Sequence, residues 1–406
     1  MSKECIWYIS KYVIPPNDST IGGRGYMLMR ELATLGYTCI VIASNSSEYS
    51  ETPNMKVNYQ KVKRDGLSFW WVRTLKYVGA RSFKRILSWL HFEWRLLLMP
   101  KSQLPKPDAI IVSSLSILTI FNGFILRKIY GCKLIFEVRD IWPLTLTEEG
   151  GFSKANPLIY CLSIIERLGY KYSDSIVGTM PNLSEHVERV LGYKRNVSCV
   201  PMGLDLNKMK EILPLPDNYK KKYLPKNSFL VIYAGSIGIT NSLETFFACA
   251  ESLQDHVGIK FIIVGDGYLK AEYKKQYQHL NNIIFAPKVP RKMVQSVLQE
   301  CQLLYFAVPE SEVWKYGQSL NKVIDYMFSG KPIVASYSGY KSMINEAQCG
   351  SYVPANNIPA LRREVLRYFE LSDIKRNEIG LQGRDWLLKN RNYRSLAIAY
   401  SKIIFG

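Results

Sequence analysis

From Ala109 to Leu126 the chain runs eighteen residues without a charge, "AIIVSSLSILTIFNGFIL", the lower limit for a helix that crosses a bilayer. Such a stretch admits two folds that exclude each other: a membrane span, or a segment buried on all sides within an α/β unit. Its internal order decides between them. "AIIVSSL" is a short β-rich run, "SILTIFNGFILRKIYG" closes on a glycine as helices do, and "KLIFEVRD" is β-rich again. The sequence therefore predicts a buried strand–helix–strand and no span.

The same alternation recurs on both sides. Before it come strand-like "CIWYIS", a Gly-rich loop, the helical "RGYMLMRELATLG" and the strand "TCIVIAS". After it, beyond "VSCVPMGLD" and a polar stretch read as a linker, a second series begins: "FLVIYAGSIG", "TFFACAESL", "IKFIIVGDG", "NIIFAPKV", "LLYFAV" and "KPIVASY". Strands alternating with helices mean α/β with parallel sheets, and 406 residues with 47% apolar content suit two domains. The expected fold class is two doubly wound domains, residues 1–205 and 206–385, facing a cleft, with a helix from 386–406 packing back on the first. Ligands in such sheets bind beyond the carboxyl ends of the strands. The eight cysteines are scattered with no C-x-x-C and there are four histidines, which suggests neither a disulfide framework nor a zinc site and fits a reducing compartment. The first residues, "MSKECIWYISKYVIPP", are too soon interrupted for a secretory segment, so export is not expected.

One stretch carries chemistry in its spacing. In "YGQSLNKVIDYMFSGKPIVAS", residues 316–336, helical geometry puts Asn321, Lys322 and Asp325 within one arc, while Val323 and Met327 fall on the opposite, core-facing side. A lysine at a helix N-terminus suits a phosphate, and a carboxylate one turn later suits adjacent ribose hydroxyls. An i,i+3 Lys–Asp pair on a solvated face is the competing reading.

This segment resembles the nucleotide-sugar motif of glycosyltransferase family 4, usually E-x7-E, with Asp325 where the family has its second Glu and "SGKPIVAS" as its next strand. Gly317 stands where the first Glu belongs, so the usual sugar-hydroxyl contact is absent or made by Glu310 or Glu312. The form N-K-x-x-D looks like a branch that includes N-acetyl-L-fucosamine transferases of bacterial surface polysaccharides. "PPNDSTIGGRGYMLMRELATLG" resembles the first loop and helix of that branch, "FEVRDIWP" its R-D-x-W-P signature, "VPMGLD" its interdomain turn, and "YAGSIG" and "VGDG" its two later Gly turns. Gly22 and Gly23 allow close backbone approach to a ligand. Asp140, in "FEVRDIWP", follows a strand end where functional residues collect; its competing role is to cap the next turn.

The resemblance implies the GT-B fold, two Rossmann-like domains, and transfer of a sugar from a nucleoside diphosphate, most often UDP, with retention of configuration and without a metal. It implies donor contacts from Gly22, Gly23, Arg24, Gly235, Ser236, Gly238, Arg291, Asn321, Lys322, Asp325 and Glu310, with Asp140 and Lys322 as candidate catalytic groups. One departure matters. Many members follow the glycine of the first C-domain strand with an Arg and a Lys that clamp the diphosphate, whereas this chain reads "GSIGITNSLE". Charge neutralisation then falls to Lys322, to backbone amides around Gly235 and Gly238, or to Arg24 or Arg291.

Residues 56–106 hold twelve Lys or Arg against two acidic residues, and four of the eight Trp: Trp70, Trp71, Trp89 and Trp94. On a helical wheel Phe83, Ile86, Leu87, Leu90, Trp94, Leu97 and Leu98 form one stripe, and Lys84, Ser88, His91 and Arg95 another. A basic amphipathic helix with aromatics has the composition of an interfacial anchor. The segment from about Trp70 to Leu98, with Lys84, Arg85 and Arg95 as its cations, is expected on an anionic membrane surface at the cytoplasmic leaflet, serving a polyprenyl-diphosphate-linked saccharide acceptor. Packing of the stripe into the first domain is the alternative. The clustering of charge beside Trp and Leu, with no known module, argues against nucleic acid. Two other classes compete: a soluble GT-B nucleotide-sugar epimerase or synthase, and a non-enzymatic polyanion binder.

Overall fold

The computed structural model describes residues 4–13, 15–16, 22–46, 52–77, 83–206 and 211–406. The chain divides into two compact units, Met1–Gly203 with Tyr393–Gly406, and Leu204–Asn392.

Unit 1 opens with β1 (Cys5–Ile9), α1 (Arg24–Thr34) and β2 (Thr38–Ser44), followed by a hairpin of β3 (Tyr59–Arg64) and β4 (Leu67–Val72). Then come α2 (Phe83–Leu98), β5 (Ala109–Ser113), α3 (Thr119–Tyr130) and β6 (Lys133–Val138). The short α4 (Leu144–Glu148), α5 (Pro157–Tyr172), β7 (Ser175–Gly178), α6 (Leu183–Leu191) and β8 (Val197–Cys199) complete an eight-stranded sheet of order β3-β4-β2-β1-β5-β6-β7-β8. All its pairings are parallel except β3 with β4. The uncharged run thus becomes β5 and most of α3, its strand wholly buried. Among the described residues no helix is long and apolar enough to cross a membrane.

Unit 2 contains α7 (Asp217–Tyr223), β9 (Phe229–Ala234), α8 (Glu244–Ser252), β10 (Ile259–Val264), α9 (Lys270–Gln276), β11 (Ile283–Ala286), α10 (Val294–Gln299) and β12 (Leu303–Ala307). It continues with α11 (Asn321–Ser329), β13 (Ile333–Ser336), β14 (Gly350–Val353), α12 (Ile358–Glu370) and α13 (Asp373–Asn390). Its six-stranded sheet, β11-β10-β9-β12-β13-β14, is parallel throughout. The polar stretch expected as a linker holds α7, and its residues 207–210 lie outside the described residues.

The last helix, α14 (Tyr393–Phe405), lies in unit 1, where Tyr393, Leu396 and Tyr400 join the core over α1 and Phe405 stacks on Tyr37 at 5.3 Å.

A buried ion pair ties unit 1 together. Arg24, the first residue of α1, is fully buried; its Nη1 donates to Glu137 Oε2 at 2.6 Å, and its Nη2 and Nε donate to the Val200 and Pro201 carbonyls. Tyr8 and Tyr400 donate to the same Glu137 carboxylate at 2.7 and 3.1 Å. Burial alone would raise the Glu137 carboxyl, but Arg24 and Arg139 hold it below the usual range. The expectation that Arg24 meets the donor is therefore corrected: its donors are spent inside unit 1, in an environment that no exposed charge could occupy.

Arg24→Met would strand the Glu137 charge and should lower stability by about 3–5 kcal/mol in urea unfolding. Pairing it with Glu137→Gln should recover most of that loss; equal loss in both variants would show that the charge is not the cause.

Candidate functional site

At the carboxyl edge of the unit 2 sheet, the loops after β9, β10 and β11 and the start of α11 enclose a cavity of about 570 Å³ lined by Gly235, Ser236, Asp266, Lys288, Arg291, Asn321, Lys322 and Asp325 among others. Open parallel sheets collect ligands there because the crossover loops converge where the strands end. The two Gly turns belong to this construction. A Cβ on Gly265, whose φ is +155°, would lie 1.9 Å from the Gly235 carbonyl oxygen, so only glycine lets the two loops touch.

Helix α11 answers its spacing. Val323 and Met327 are fully buried, Asn321 is exposed at the first turn, and Gly330 closes the helix with φ 71° before the chain enters β13. Lys322 reaches back to the β9 loop. Its Nζ lies over the Tyr233 ring at 4.9 Å, donates to Tyr233 Oη at 3.3 Å and to Asn241 Oδ1. A cation thus stands beside the "GSIGITN" loop, although the loop supplies none. Burial draws the Lys322 amine down to about 8.

Asp325 is 6% exposed and takes both fork nitrogens of Arg291, Nη1 to Oδ2 at 2.7 Å and Nη2 to Oδ1 at 2.5 Å. Burial raises its carboxyl above the ordinary value, and Arg291 works against that rise. A carboxylate has about four lone-pair positions, so two remain for other donors while Arg291 fixes the plane. Arg291, considered for the diphosphate, is bonded to Asp325 instead. Gly235 donates its amide to Val264, so that donor is spent in the sheet edge. Gly238 faces Tyr268, whose hydroxyl accepts from Ile239 N at 3.1 Å. Glu310 is exposed on the loop after β12 and does not line the cavity. Sequence reasoning missed Tyr233, Lys288 and Asp266; the last two follow strand ends, and that position was the available signal.

The remaining predicted residues belong to unit 1. Gly23 is the N-cap of α1 and Gly22 precedes it with φ 90°, while residues 17–21 of that loop lie outside the described residues. Asp140 follows β6 and is half-buried. Burial raises its carboxyl, opposed by Arg139 and Arg85. The following helix α4 has Pro143 at its N-cap and no side-chain cap, so Asp140 does not cap it. Ser114 Oγ accepts from Arg139 N at 2.9 Å and donates to the Asp140 carbonyl at 3.1 Å, which joins the ends of β5 and β6.

Two unpredicted groups lie in the same unit. Lys11 is fully buried after β1, its amine drawn down to about 7 by burial and by Arg85, against the pull of Glu93. Burial pushes Glu93 up to about 7, although Thr119, Asn122 and Ser116 all donate to it.

The Trp-rich segment needs correction. Trp70 and Trp71 lie in β4, 3% and 7% exposed, because Tyr59–Arg64 and Leu67–Val72 form an antiparallel hairpin over Asp65-Gly66. Both turn residues have positive φ, 50° and 79°, as an Asp-Gly hairpin requires, and that dipeptide was the overlooked signal. Trp89 is also buried, donating Nε1 to Tyr12 Oη at 2.7 Å beneath the Arg85 guanidinium. Arg95 is half-buried and donates to His91 Nε2. Trp94, 59% exposed, and Lys84 point outward with Phe83, Leu87, Leu90, Leu97 and Leu98, and Ile86 is half-buried. Residues 78–82 lie outside the described residues.

Residues 228–370, which hold the whole cavity, match the family model described as Glycosyl transferases group 1. The chain has the GT-B fold, and residues 228–370 form its glycosyltransferase group 1 domain. Over 99% of its length the chain superposes on 99% of the trehalose-6-phosphate protein of E. coli bound with UDP-2-fluoro glucose, at TM-score 0.74 and 14% identity. It covers 98% of HepE from Anabaena in complex with UDP, over 98% of its own length, at TM-score 0.66 and 12% identity. WaaG, a glycosyltransferase involved in lipopolysaccharide biosynthesis, is covered completely by 99% of the chain at TM-score 0.64 and 14% identity. No curated protein matches by sequence.

The Arg291–Asp325 pair is 36% open to solvent on the arginine side, which limits its worth. Arg291→Gln is expected to cost about 2 kcal/mol in urea unfolding. Arg291→Lys, which keeps the charge and loses the fork, should recover less than half of it; full recovery would mean that charge alone orients Asp325.

Proposed function

We propose that this glycosyltransferase moves a sugar, an N-acetylated amino sugar in our reading, from a nucleoside diphosphate, UDP, to a polyprenyl-diphosphate-linked saccharide in capsule or O-antigen synthesis. The observation that carries the donor half is the cavity that gathers Lys322, the Arg291-oriented Asp325 and the two Gly turns within the glycosyltransferase group 1 domain. The UDP and UDP-sugar bound by the structural neighbours named above support that choice.

In the proposed reaction Asp325 accepts two ribose hydroxyls on its remaining lone pairs. Lys322 meets the diphosphate, whose negative charge grows as the glycosidic bond breaks, and no metal takes part. No protein nucleophile is invoked. The acceptor hydroxyl attacks from the face the diphosphate leaves, a phosphate oxygen takes its proton, and configuration is retained. Asp140 positions the acceptor or the reacting sugar. The protein works at the inner face of the cytoplasmic membrane, with the outward face of α2 toward anionic lipid.

Thermal-shift screening against UDP-, GDP- and dTDP-sugars tests the donor class, since a bound ligand stabilises by RT ln(1 + [L]/Kd); no shift with any UDP-sugar would reject it. Asp325→Ala should weaken donor binding by about 2–4 kcal/mol.

The Lys322 amine sets a pH dependence. The protonated form binds the diphosphate, so affinity for a UDP-sugar should be full below about 8 and fall above it, by up to about tenfold per pH unit. Calorimetry on Lys322→Met should show weaker binding at pH 7 and no such slope; an unchanged slope would assign it to another group. Asp140→Asn should lower turnover about a hundredfold with donor affinity intact. Wild-type turnover in that variant would remove Asp140 from the reaction.

A further inference from the structure

The outward side of α2 does not stand alone. Glu93, on its inner side, is bonded by Thr119 and Asn122 of α3, and α3 in turn meets α5 through the Phe124–Tyr172 ring contact at 6.3 Å and an Arg127 Nη1 hydrogen bond to the Tyr172 carbonyl at 2.7 Å. The three helices are therefore neighbours in one layer of unit 1. Each exposes apolar residues at helical spacing. On α2 they include Leu87, Leu90, Trp94 and Leu97; on α3 they are Phe121, Ile125 and Ile129, the last 64% exposed; on α5 they include Tyr160 and Ile164. Residues i, i+4 and i+7 or i+8 share a face, so each set forms a stripe along its helix.

The charges on the layer have one sign. Across α2, α3 and α5 the acidic residues are Glu93 and Glu166; Glu93 is half-buried in its hydrogen-bonded pocket, and Glu166 is buried against Tyr170 and His186. The exposed charges of the three helices are Lys84, Lys128, Arg167 and Lys171. A surface of about 20 Å by 24 Å, from two interhelical spacings and a sixteen-residue helix, thus shows apolar stripes among cations, and the exposed carboxylate at its edge, Asp174 just past α5, is paired with Arg127 of α3 at 2.8 Å. Apolar area of that extent on one face of a soluble unit marks a docking surface.

We propose that α2, α3 and α5 together form one membrane-docking face that lies flat on an anionic bilayer, with Ile125, Ile129, Tyr160 and Ile164 entering the interface beside Trp94. The inference rests on the reading of a membrane-bound acceptor and extends it, because the docking element becomes a rigid three-helix layer of the fold in place of a single amphipathic segment. Charge complementarity selects the occupant. Headgroup phosphates pair with the lysines and arginines while the stripes sit at acyl depth, and a planar interface meets three stripes at once.

The test uses the full chain and vesicles of phosphatidylglycerol and phosphatidylcholine. Cys161, exposed on α5 next to Tyr160, takes an environment-sensitive fluorophore once exposed Cys199 is replaced by Ser. Its emission should shift to the blue with phosphatidylglycerol vesicles, and added salt or phosphatidylcholine alone should largely abolish the shift. Ile125→Asp with Ile129→Asp, and separately Tyr160→Asp with Ile164→Asp, should lower vesicle partition by at least about tenfold. The thermal shift given by UDP, read in the same samples, should stay as in the wild type, which separates docking from the donor reading. Vesicle binding that survives both pairs and is lost only in Leu90→Asp with Trp94→Asp would reduce the face to α2 and overturn the proposal. So would a wild-type chain that ignores vesicles, or one whose face is covered by a second copy, seen as a dimer in light scattering that these variants dissociate.

Discussion

Glu137 receives an arginine and two tyrosine hydroxyls at a place with no access to water, and unit 1 is arranged around that carboxylate. Arg24 begins α1, Tyr8 stands on β1, Tyr400 on α14, and the other Arg24 nitrogens hold the Val200 and Pro201 carbonyls at the end of the unit. Segments nearly 400 residues apart in the chain are joined through one side chain. A buried charge tolerates no partial solution, since removing a partner leaves a cost of several kcal/mol. The group therefore specifies where the returning helix α14 docks, beyond what apolar burial would require.

Electrostatics act in the opposite sense in unit 2. Lys322 and Asp325 are each pushed toward neutrality by burial, and each is oriented by its neighbours, Tyr233 and Asn241 for the amine and Arg291 for the carboxylate. Neither is fully satisfied in the way Glu137 is. A half-satisfied charge in a cavity is prepared to gain by meeting a ligand of the opposite kind, and this is the physical difference between a structural ion pair and a binding site. The displaced position of the cation also has a reason: a lysine from α11 reaches the loop after β9, so the loop itself needs none.

Helix α2 shows how far pattern and position can diverge. The stripe of Phe83, Leu87, Leu90, Trp94, Leu97 and Leu98 is the more apolar face, yet it points away from the core, and the face with Ser88, Trp89, Phe92 and Glu93 points in. Inside, Glu93 is affordable because three hydroxyl and amide donors converge on it. Outside, the stripe is exposed among the described residues, and its continuation on α3 and α5 is invisible along the sequence because the three stripes are far apart in the chain.

What the sequence determined by itself was whatever depends on local spacing. Alternating β-rich and helical segments imposed two parallel α/β units; the uncharged run resolved into β5 and α3 because its β-rich start gives way to a segment that closes on a glycine; and the N-K-x-x-D spacing put Lys322 and Asp325 on one side of α11 with Val323 and Met327 on the other. Even the β3–β4 hairpin was legible in its Asp-Gly turn, and reading Trp70 and Trp71 by composition alone obscured it. The tertiary structure alone decided partners. Arg24 beside two glycines looks like a phosphate ligand until Glu137, over a hundred residues on, is found against it, and Arg291 looks free until Asp325 takes its fork. A charged side chain declares its chemistry in one letter, but its role depends on which opposite charge and how much water the fold brings to it, and neither quantity is local in sequence.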